Sequence, residues 1–311
     1  MKPETHARGV ITLAYGHKRY VEQARSLAHS LQIHAPELPR TLVTDSDNSE
    51  VRRLFTNVVE YRSEYGSGVS QKLFLDRYSP YEQTLFIDSD CLVLGNLKEF
   101  WSAFNGQYFG VPGHKFLRKG STDPYLDVDH ALACFHLDAI PKFNGGTYYF
   151  NRSREAAAFF DTVREILGNW KTLRLSEFRG DGPPDEVIYA LAMAVHQIGP
   201  TFMGPRGMWT PIGYKGPLRL NALHGTCSFE KEGMKLSPEI IHFPWEYAKS
   251  FVYARERSKL KARVEGKGTP VLELGSSIAT SVLWHGYRRL RGIAKTARAS
   301  LRTRSSAPRT V

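Results

Sequence analysis

Asp88 and Asp90 carry the strongest chemical signal in this chain. They sit inside Thr84-Leu85-Phe86-Ile87-Asp88-Ser89-Asp90-Cys91-Leu92-Val93-Leu94, where an apolar run leads into two carboxylates and a second apolar run follows. Phe86 and Ile87 read as the end of a buried parallel strand. In an extended or just-turning backbone, side chains two residues apart project to the same side. Two carboxylates held that close repel each other unless a cation lies between them. Their oxygens suit Mg²⁺ or Mn²⁺. An ion at the carboxyl end of an open α/β sheet is well placed to hold a diphosphate. Asp-Ser-Asp is also an ordinary turn sequence with Asx-type hydrogen bonds, so the surrounding elements must decide between the two.

Those elements read as a parallel nucleotide-binding sheet. Gly9–Ala14 is a first buried strand, and Tyr20, Ala24, Leu27, Ala28 and Leu31 share one face of the helix that follows. Pro36 and Pro39 end that helix. Thr41–Asp45 and Val58–Tyr61 are further strands, with a short helix around Val51, Leu54 and Phe55 between them. Gly66-Ser67-Gly68 opens a loop into a helix over Ser70–Tyr78, which places Lys72 near a helix N-terminus, where anions are favoured. Gln107–Pro112 reads as a strand. Residues 113–140 look less regular and hold His114, His130 and His136, which lone-histidine statistics assign to structure or surface. In Phe143-Asn144-Gly145-Gly146, two glycines before a β-rich run indicate a tight turn with close backbone approach.

A long helix over Arg154–Gly168 is expected to bury Ala157, Phe160, Val163 and Leu167. Asp181-Gly182-Pro183-Pro184-Asp185-Glu186 precedes an apolar helix, Val187–Val195. Acids at a helix start are favoured by the macrodipole; a carboxylate cluster facing a sugar is the functional alternative. Gly and Pro between Gly199 and Thr226 suit irregular acceptor-side loops. Ile240–Trp245 is a short strand ending in a polar, aromatic turn, with His242 either a core histidine or a third ligand beside Asp88 and Asp90.

Composition excludes several classes. No run approaches the roughly 18 apolar residues of a membrane span. Met1–His6 lacks an apolar core, so no secretory signal is visible. Cys91, Cys134 and Cys227 are far apart, which fits a reduced, cytoplasmic setting. The net charge of +11 lies entirely beyond Phe251, where 14 basic residues meet three acids. Within that tail Leu283, Tyr287, Leu290, Ala294, Ala297 and Leu301 form one helical stripe among arginines and lysines. Such a helix suits an anionic membrane surface, here the inner face, as a peripheral association. The body shows no aromatic-basic platform for nucleic acid. The expected organisation is a catalytic domain over 1–250, a basic amphipathic helical tail over 251–302, and a disordered end over 303–311.

Taken together, the segments occur in an order that resembles glycosyltransferase family 8, the retaining glycosyltransferases that include glycogenin and bacterial lipopolysaccharide galactosyltransferases. Thr12-Leu13 with Tyr20 is similar to the family's opening strand and base-binding helix start. Ser70-Gln71-Lys72-Leu73 and Leu85–Asp90 resemble its lysine helix and D-x-D motif, and Phe143-Asn144-Gly145-Gly146 its F-N-[SA]-G turn. Glu186 stands where the family usually has glutamine. After His242 the family's H-F-x-G-x-x-K-P-W is partly echoed, with Trp245 at the glycine position and Lys249 one residue late.

The resemblance implies a GT-A fold: a single Rossmann-like mixed sheet flanked by helices. It implies transfer of a sugar from a nucleotide diphosphate, a UDP-sugar, to a glycan, lipid-linked or protein acceptor. Asp88, Asp90 and His242 would hold Mn²⁺ or Mg²⁺. Thr12, Ala14 and Tyr20 would line the base pocket, while Lys72, Ser89 and Lys249 would contact the donor. Asn144, Gly146, Asp181, Asp185 and Glu186 would surround the sugar. A sugar-phosphate nucleotidyltransferase would instead need a Gly-rich basic phosphate loop, of which Ala14-Tyr15-Gly16-His17-Lys18-Arg19 is a poor version. A catalytically inactive nucleotide-sugar-binding scaffold is the non-enzyme rival.

Overall fold

The computed structural model describes residues 7–266. It divides into two compact units, Met1–His242 and a second that begins at Phe243. The first unit carries fourteen strands among the described residues: β1 (Arg8–Leu13), β2 (Arg40–Thr44), β3 (Asn57–Glu60), β4 (Gln83–Ile87), β5 (Cys91–Val93), β6 (Phe109–Gly110), β7 (Gly113–Leu117), β8 (Ile140–Phe143), β9 (Thr147–Asn151), β10 (Met208–Trp209), β11 (Lys215–Asn221), β12 (Thr226–Lys231), β13 (Met234–Leu236) and β14 (Ile240–His242). Its helices are α1 (Lys18–His34), α2 (Ser49–Arg52), α3 (Leu75–Tyr78), α4 (Lys98–Ala103), α5 (Val128–Phe135), α6 (Arg154–Gly168) and α7 (Asp185–Val195).

The central sheet is mixed, in the order β3-β2-β1-β4-β9-β6. β3, β2, β1 and β4 run parallel, and β9 pairs antiparallel with both β4 and β6. Its strands alternate strictly between two buried layers, as a period of two requires. On β4, Leu85 and Ile87 face a cluster with Leu27, Leu31, Phe100, Trp101 and Phe104, while Phe86 faces the opposite cluster. That opposite cluster is aromatic: Phe109 stacks on Phe159 at 4.1 Å between ring centroids and on Tyr189 at 5.1 Å. Tyr148 on β9 lies 4.6 Å from Tyr189 on α7, so the sheet and α7 are locked together directly beneath the two aspartates.

Several segments depart from the sequence expectation. Ser70–Tyr78 is not one α-helix: a 3₁₀ turn covers Gly68–Phe74 and α3 only the last four residues. Its backbone is held by Gln71, whose side-chain amide donates to Arg62 O and Gly66 O, both at 2.7 Å. In α6 the buried face is Ala156, Phe159, Phe160, Val163 and Ile166, so Ala157 is exposed and Leu167 half-buried. Expecting 113–140 to be irregular missed β7, β8 and α5. Between Gly199 and Thr226 the Gly- and Pro-rich chain still supplies β10 and β11, and β11 forms a small antiparallel sheet with β12 and β13. Gly213 and Gly225, and Gly233 between β12 and β13, take positive φ in the turns, while Gly216 takes it at the irregular start of β11. Gln107–Pro112 contributes only the two-residue β6. Helix α7 begins at Asp185, so the two acids lie in its first turn.

In the second unit, a 3₁₀ turn over Trp245–Lys249 places Lys249 at its end, and α8 (Phe251–Glu265) follows. The buried Glu256 carboxylate in α8 takes Arg255 Nε at 2.6 Å and Lys259 Nζ at 3.0 Å. No helix among the described residues is long and apolar enough to cross a membrane. The apolar stripe Leu283–Leu301 and the end 303–311 lie outside the described residues.

The tight packing of β1 gives a direct test. Gly9 lies against Tyr81, and a Cβ there would come within 2.4 Å of its ring atoms. Tyr81 cannot swing away, because its buried hydroxyl bonds Thr41 Oγ1 at 2.7 Å. Gly9→Ala is therefore expected to cost about 1–3 kcal/mol of unfolding free energy by overpacking, read from the urea midpoint. Gly168→Ala, where a Cβ meets nothing within 4 Å at the last turn of α6, is expected to be neutral or stabilising.

Candidate active site

The site forms where β4 ends. Asp88 follows the last residue of β4, and Cys91 N donates to Asp88 O at 3.0 Å, which closes Asp88-Ser89-Asp90 into a turn. Ser89 N donates to Asp88 Oδ1 at 3.1 Å. Across the sheet, Asp88 N donates to Gly146 O at 2.9 Å, so the turn before β9 is fixed beside the aspartates. β14 pairs antiparallel with β5, with His242 opposite Cys91. Three chain segments far apart in sequence thus converge on one point.

The two glycines of Asn144-Gly145-Gly146 are required by what lies on them. A Cβ on Gly146 would come within 2.5 Å of His242 Nδ1, and one on Gly145 within 2.9 Å of Glu186 Cγ. The bare backbone lets the imidazole and the carboxylate approach the turn from two sides.

The orientation of His242 follows from a chain of donors and acceptors. Gly146 N donates to Asn144 Oδ1 at 3.3 Å, which assigns the oxygen side of that amide. His242 Nδ1 lies 2.5 Å from the same Oδ1. An amide oxygen only accepts, so Nδ1 carries the proton. In the neutral imidazole Nε2 is then a bare lone pair, and it lies 2.9 Å from Asp90 Oδ1. Two lone pairs facing each other at that distance repel. Among the described residues, Asp90 Oδ1 is buried and accepts no well-directed hydrogen bond. Only a proton or a metal ion between the two atoms removes the conflict. Burial alone would lower the His242 pKa, but Asp90 and then Asp88 outweigh it and raise it. Asp90 itself is raised, by burial first.

Asp88 has a different partner. Lys72 Nζ bonds Asp88 Oδ2 at 2.6 Å, stands 3.5 Å from Asp185 Oδ2, and reaches Gly145 O at 3.4 Å. Tyr189 on α7 holds Lys72 in place by donating to its carbonyl at 2.7 Å. Burial opposes the Lys72 charge, but Asp185 and Asp88 together hold its pKa above the ordinary lysine range. For Asp88, burial is likewise outweighed, by Lys72 and then His242, and its pKa is lowered. Asp185 accepts from Tyr148 Oη at 2.6 Å. Glu186 Oε1 accepts from Gly145 N at 2.8 Å and from Asn144 Nδ2 at 3.4 Å. Burial raises the pKa of both acids, and Asp185 raises Glu186 further.

Asp88, Ser89, Asp90, Asn144, Gly146, Lys72, Asp185, Glu186 and His242 are therefore brought together. Among the described residues, Thr12, Ala14, Tyr20 and Asp181 make no side-chain hydrogen bond or ion pair with this network. Asp181 accepts from Ser67 Oγ at 3.2 Å, in the loop that opens the lysine segment. Thr12 and Ala14 are buried along and just beyond β1, and Thr44 Oγ1 donates to Ala14 O at 2.6 Å. Tyr20 lies in the first turn of α1 with the Arg19 guanidinium 4.6 Å above its ring. Lys249 belongs to the second unit.

Two features escaped sequence reasoning. Tyr15 and Tyr61, at the carboxyl ends of β1 and β3, lie 4.6 Å apart. Their hydroxyls donate to Gly68 O and Gly66 O, beside Asp45 Oδ2, which accepts from Gly16 N at 2.9 Å. A strand stopping at an acid was the visible hint. Cys91 is the second: candidate ligand atoms of Asp90, Cys91 and His242 all lie within 4.8 Å of one another. Its thiol donates to Gly146 O at 3.7 Å, and burial, then Asp90 and Asp88, pushes its pKa well up, so it is held as a thiol. A divalent ion fits the lone pairs of Asp90 and His242 together with Asp88, whose Oδ2 is 3.9 Å from His242 Nε2.

No family model and no curated protein matches this chain. Solved structures do. An active-site Gln-to-Glu variant of LgtC aligns over 76% of this chain and 87% of that chain, with a TM-score of 0.50 and 12% identity. The fold is that of the GT-A glycosyltransferases. The bifunctional glycosyltransferase WbbM in its apo form aligns over 88% of this chain and 52% of that chain, with a TM-score of 0.51 and 13% identity. The chain thus spans about half the length of WbbM. The mixed central sheet expected from the resemblance to family 8 is present, accompanied by three smaller sheets.

The pairing of His242 with Asp90 sets a sign for pH. A histidine whose pKa is raised by folding stabilises the fold below its unfolded value of about 6.5 and loses that contribution as pH rises through the raised value. In the metal-free protein an NMR titration of His242 is expected to give a pKa above 6.5, and Asp90→Asn is expected to lower it. An unchanged value in Asp90→Asn would break the assignment.

Proposed function

We propose that this chain is a retaining glycosyltransferase that takes a sugar from a nucleotide diphosphate donor, a UDP-sugar, and requires Mn²⁺ or Mg²⁺ held by Asp88, Asp90 and His242. The observation that carries this reading is the convergence of Asp90 Oδ1 on His242 Nε2, 2.9 Å apart, with Nδ1 already committed to Asn144. It stands at the carboxyl end of β4, the position in an open α/β sheet where nucleotides bind. A divalent ion there would neutralise charge developing on the leaving diphosphate.

The chain's own residues account for the rest. Lys72, fixed between Asp88 and Asp185, offers a second positive contact to the donor phosphates. Asp185 is anchored by Tyr148 and keeps Lys72 charged in a buried site. The Glu186 carboxylate is tied through Oε1 to the Gly145 amide, which holds it beside Asn144 as a positioning group for the sugar. An acceptor hydroxyl then attacks from the face the diphosphate leaves, which preserves configuration without a covalent intermediate. The Tyr15 and Tyr61 rings, with Asp45 between strand ends, are suited to a planar base.

A panel of nucleotide sugars assayed for hydrolysis tests the reading. UDP-sugar cleavage is expected with Mn²⁺ and not after chelation, and Asp90→Asn is expected to abolish it in a chain that still folds. Cleavage that persists in metal-free buffer would overturn the metal assignment. Glu186→Gln is expected to retain measurable activity, because an amide oxygen can still accept from Gly145 N. Trapping a glycosyl-enzyme on Glu186 would show instead that the carboxylate is a nucleophile.

A further inference from the structure

Beside the catalytic turn lies a cleft of about 230 Å³ that the network above does not use. Asn144 belongs to both: it bonds His242 and Glu186 on one side and lines the cleft on the other. A group seated in the cleft therefore borders Asn144, one of the residues proposed to surround the donor sugar.

The walls of the cleft have a consistent chemistry. Phe202 is 56% exposed, a large value for a phenylalanine inside a concave surface. Its ring centroid lies 5.1 Å from that of His114, and His114 lies 6.2 Å from Trp209. Trp209 Nε1 is already committed to Gly204 O at 3.0 Å, so its indole offers ring surface and no free donor. Flat aromatic surface is what the C–H face of a pyranose packs against.

The charges are more telling. Lys142 is paired with Asp123 at 2.6 Å, and Lys115 with Glu232 at 2.6 Å. Lys231 is different. It lies 5.8 Å over the Trp209 ring and donates to Thr210 O at 3.1 Å and Thr210 Oγ1 at 2.9 Å, with no carboxylate ion pair among the described residues. Burial lowers its pKa, partly offset by Glu232. A half-buried ammonium whose hydrogen-bond partners are all neutral is stabilised by an arriving anion. Glu232 sits at φ 54, in the left-handed region that a two-residue hairpin turn with Gly233 demands and that glutamate disfavours. That turn directs its carboxylate to Lys115 and His114, and among the described residues Lys231 has no carboxylate within ion-pair distance, though Glu232 acts on it from further away.

We propose that this cleft selects an acidic acceptor sugar, one whose ring packs on Trp209 and Phe202 and whose carboxylate or phosphate meets the ammonium of Lys231. The proposal rests on the glycosyltransferase reading and narrows its acceptor. Neutral hexoses would stack on the aromatic walls and leave Lys231 without its anion.

Binding to the full chain separates the alternatives. Calorimetric titrations with glucose, glucuronic acid and glucose 6-phosphate at low salt are expected to give at least one acidic sugar about tenfold tighter than glucose. Added salt should shrink that preference. A win for glucuronic acid alone identifies a carboxylate acceptor, and a win for glucose 6-phosphate alone a phosphate. Lys231→Gln should bring acidic and neutral sugars to within about twofold of one another, while Lys231→Arg keeps the preference. Equal binding of glucose and both acids by the natural chain overturns the proposal, even if Lys231→Gln does not fold. Hydrolysis of a nucleotide sugar by the same preparation, without any acid-sugar preference, overturns the acceptor class and leaves the glycosyltransferase standing. Acid-sugar binding with no hydrolysis of any donor overturns the glycosyltransferase reading and the acceptor role with it.

Discussion

The rest of the site depends on one backbone hydrogen bond, from Gly146 N to Asn144 Oδ1. It fixes which way the amide points. The amide fixes which nitrogen of His242 is protonated, and that leaves the other nitrogen facing Asp90 as a lone pair. A histidine free to choose its tautomer would simply donate to Asp90 and behave as a core residue. Here it cannot, so the neutral pair is frustrated until a second proton or a metal ion enters. Ligand geometry of this kind is commonly set by the partner on the far side of the imidazole ring.

The same logic extends to charge. Asp88, Asp90, Asp185 and Glu186 crowd around a single ammonium, Lys72, and one imidazole. Four carboxylates cannot all ionise against so little positive charge in a buried place. Burial raises the pKa of Asp90, Asp185 and Glu186, and only Asp88, which Lys72 bonds, is lowered. A divalent ion would supply the missing positive charge. The fold is arranged to impose this deficit. β4 delivers the aspartates, α7 starts at Asp185 where its dipole favours the acids, and Tyr148 and Tyr189 tie both to the aromatic layer between the sheet and its helices.

Much of this was legible in the sequence because it is written in local pattern. An apolar run ending in Asp-x-Asp marks a strand end, and two glycines before a β-rich run mark a close approach. The resemblance to family 8 supplied the partners Lys72, Glu186 and His242, and the fold followed from alternating strands and helices. What stayed hidden is long-range or fine-grained. Nothing in the sequence says that Tyr189 holds the Lys72 carbonyl from 117 residues away. Gly68–Phe74 keeps a helical pattern but is tied into a 3₁₀ turn by Gln71. The strands between Met208 and Leu236 hide behind glycines that serve turns. The one-position shift of the buried face of α6, to Phe159 and Ile166, is decided by packing on Phe109 and Tyr189, which periodicity cannot see.

The metal is the claim on which the others turn, and its stoichiometric uptake is the measurement that addresses it most directly. Free Mn²⁺ can be followed by electron paramagnetic resonance as the full chain is titrated, with and without UDP, independently of any turnover. The expected result is one Mn²⁺ per chain, bound more tightly when UDP is present, because the ion completes its coordination on the diphosphate. No uptake at concentrations where other sites are also empty, or uptake unaffected by both UDP and Asp90→Asn, would contradict a metal centre at Asp88, Asp90 and His242.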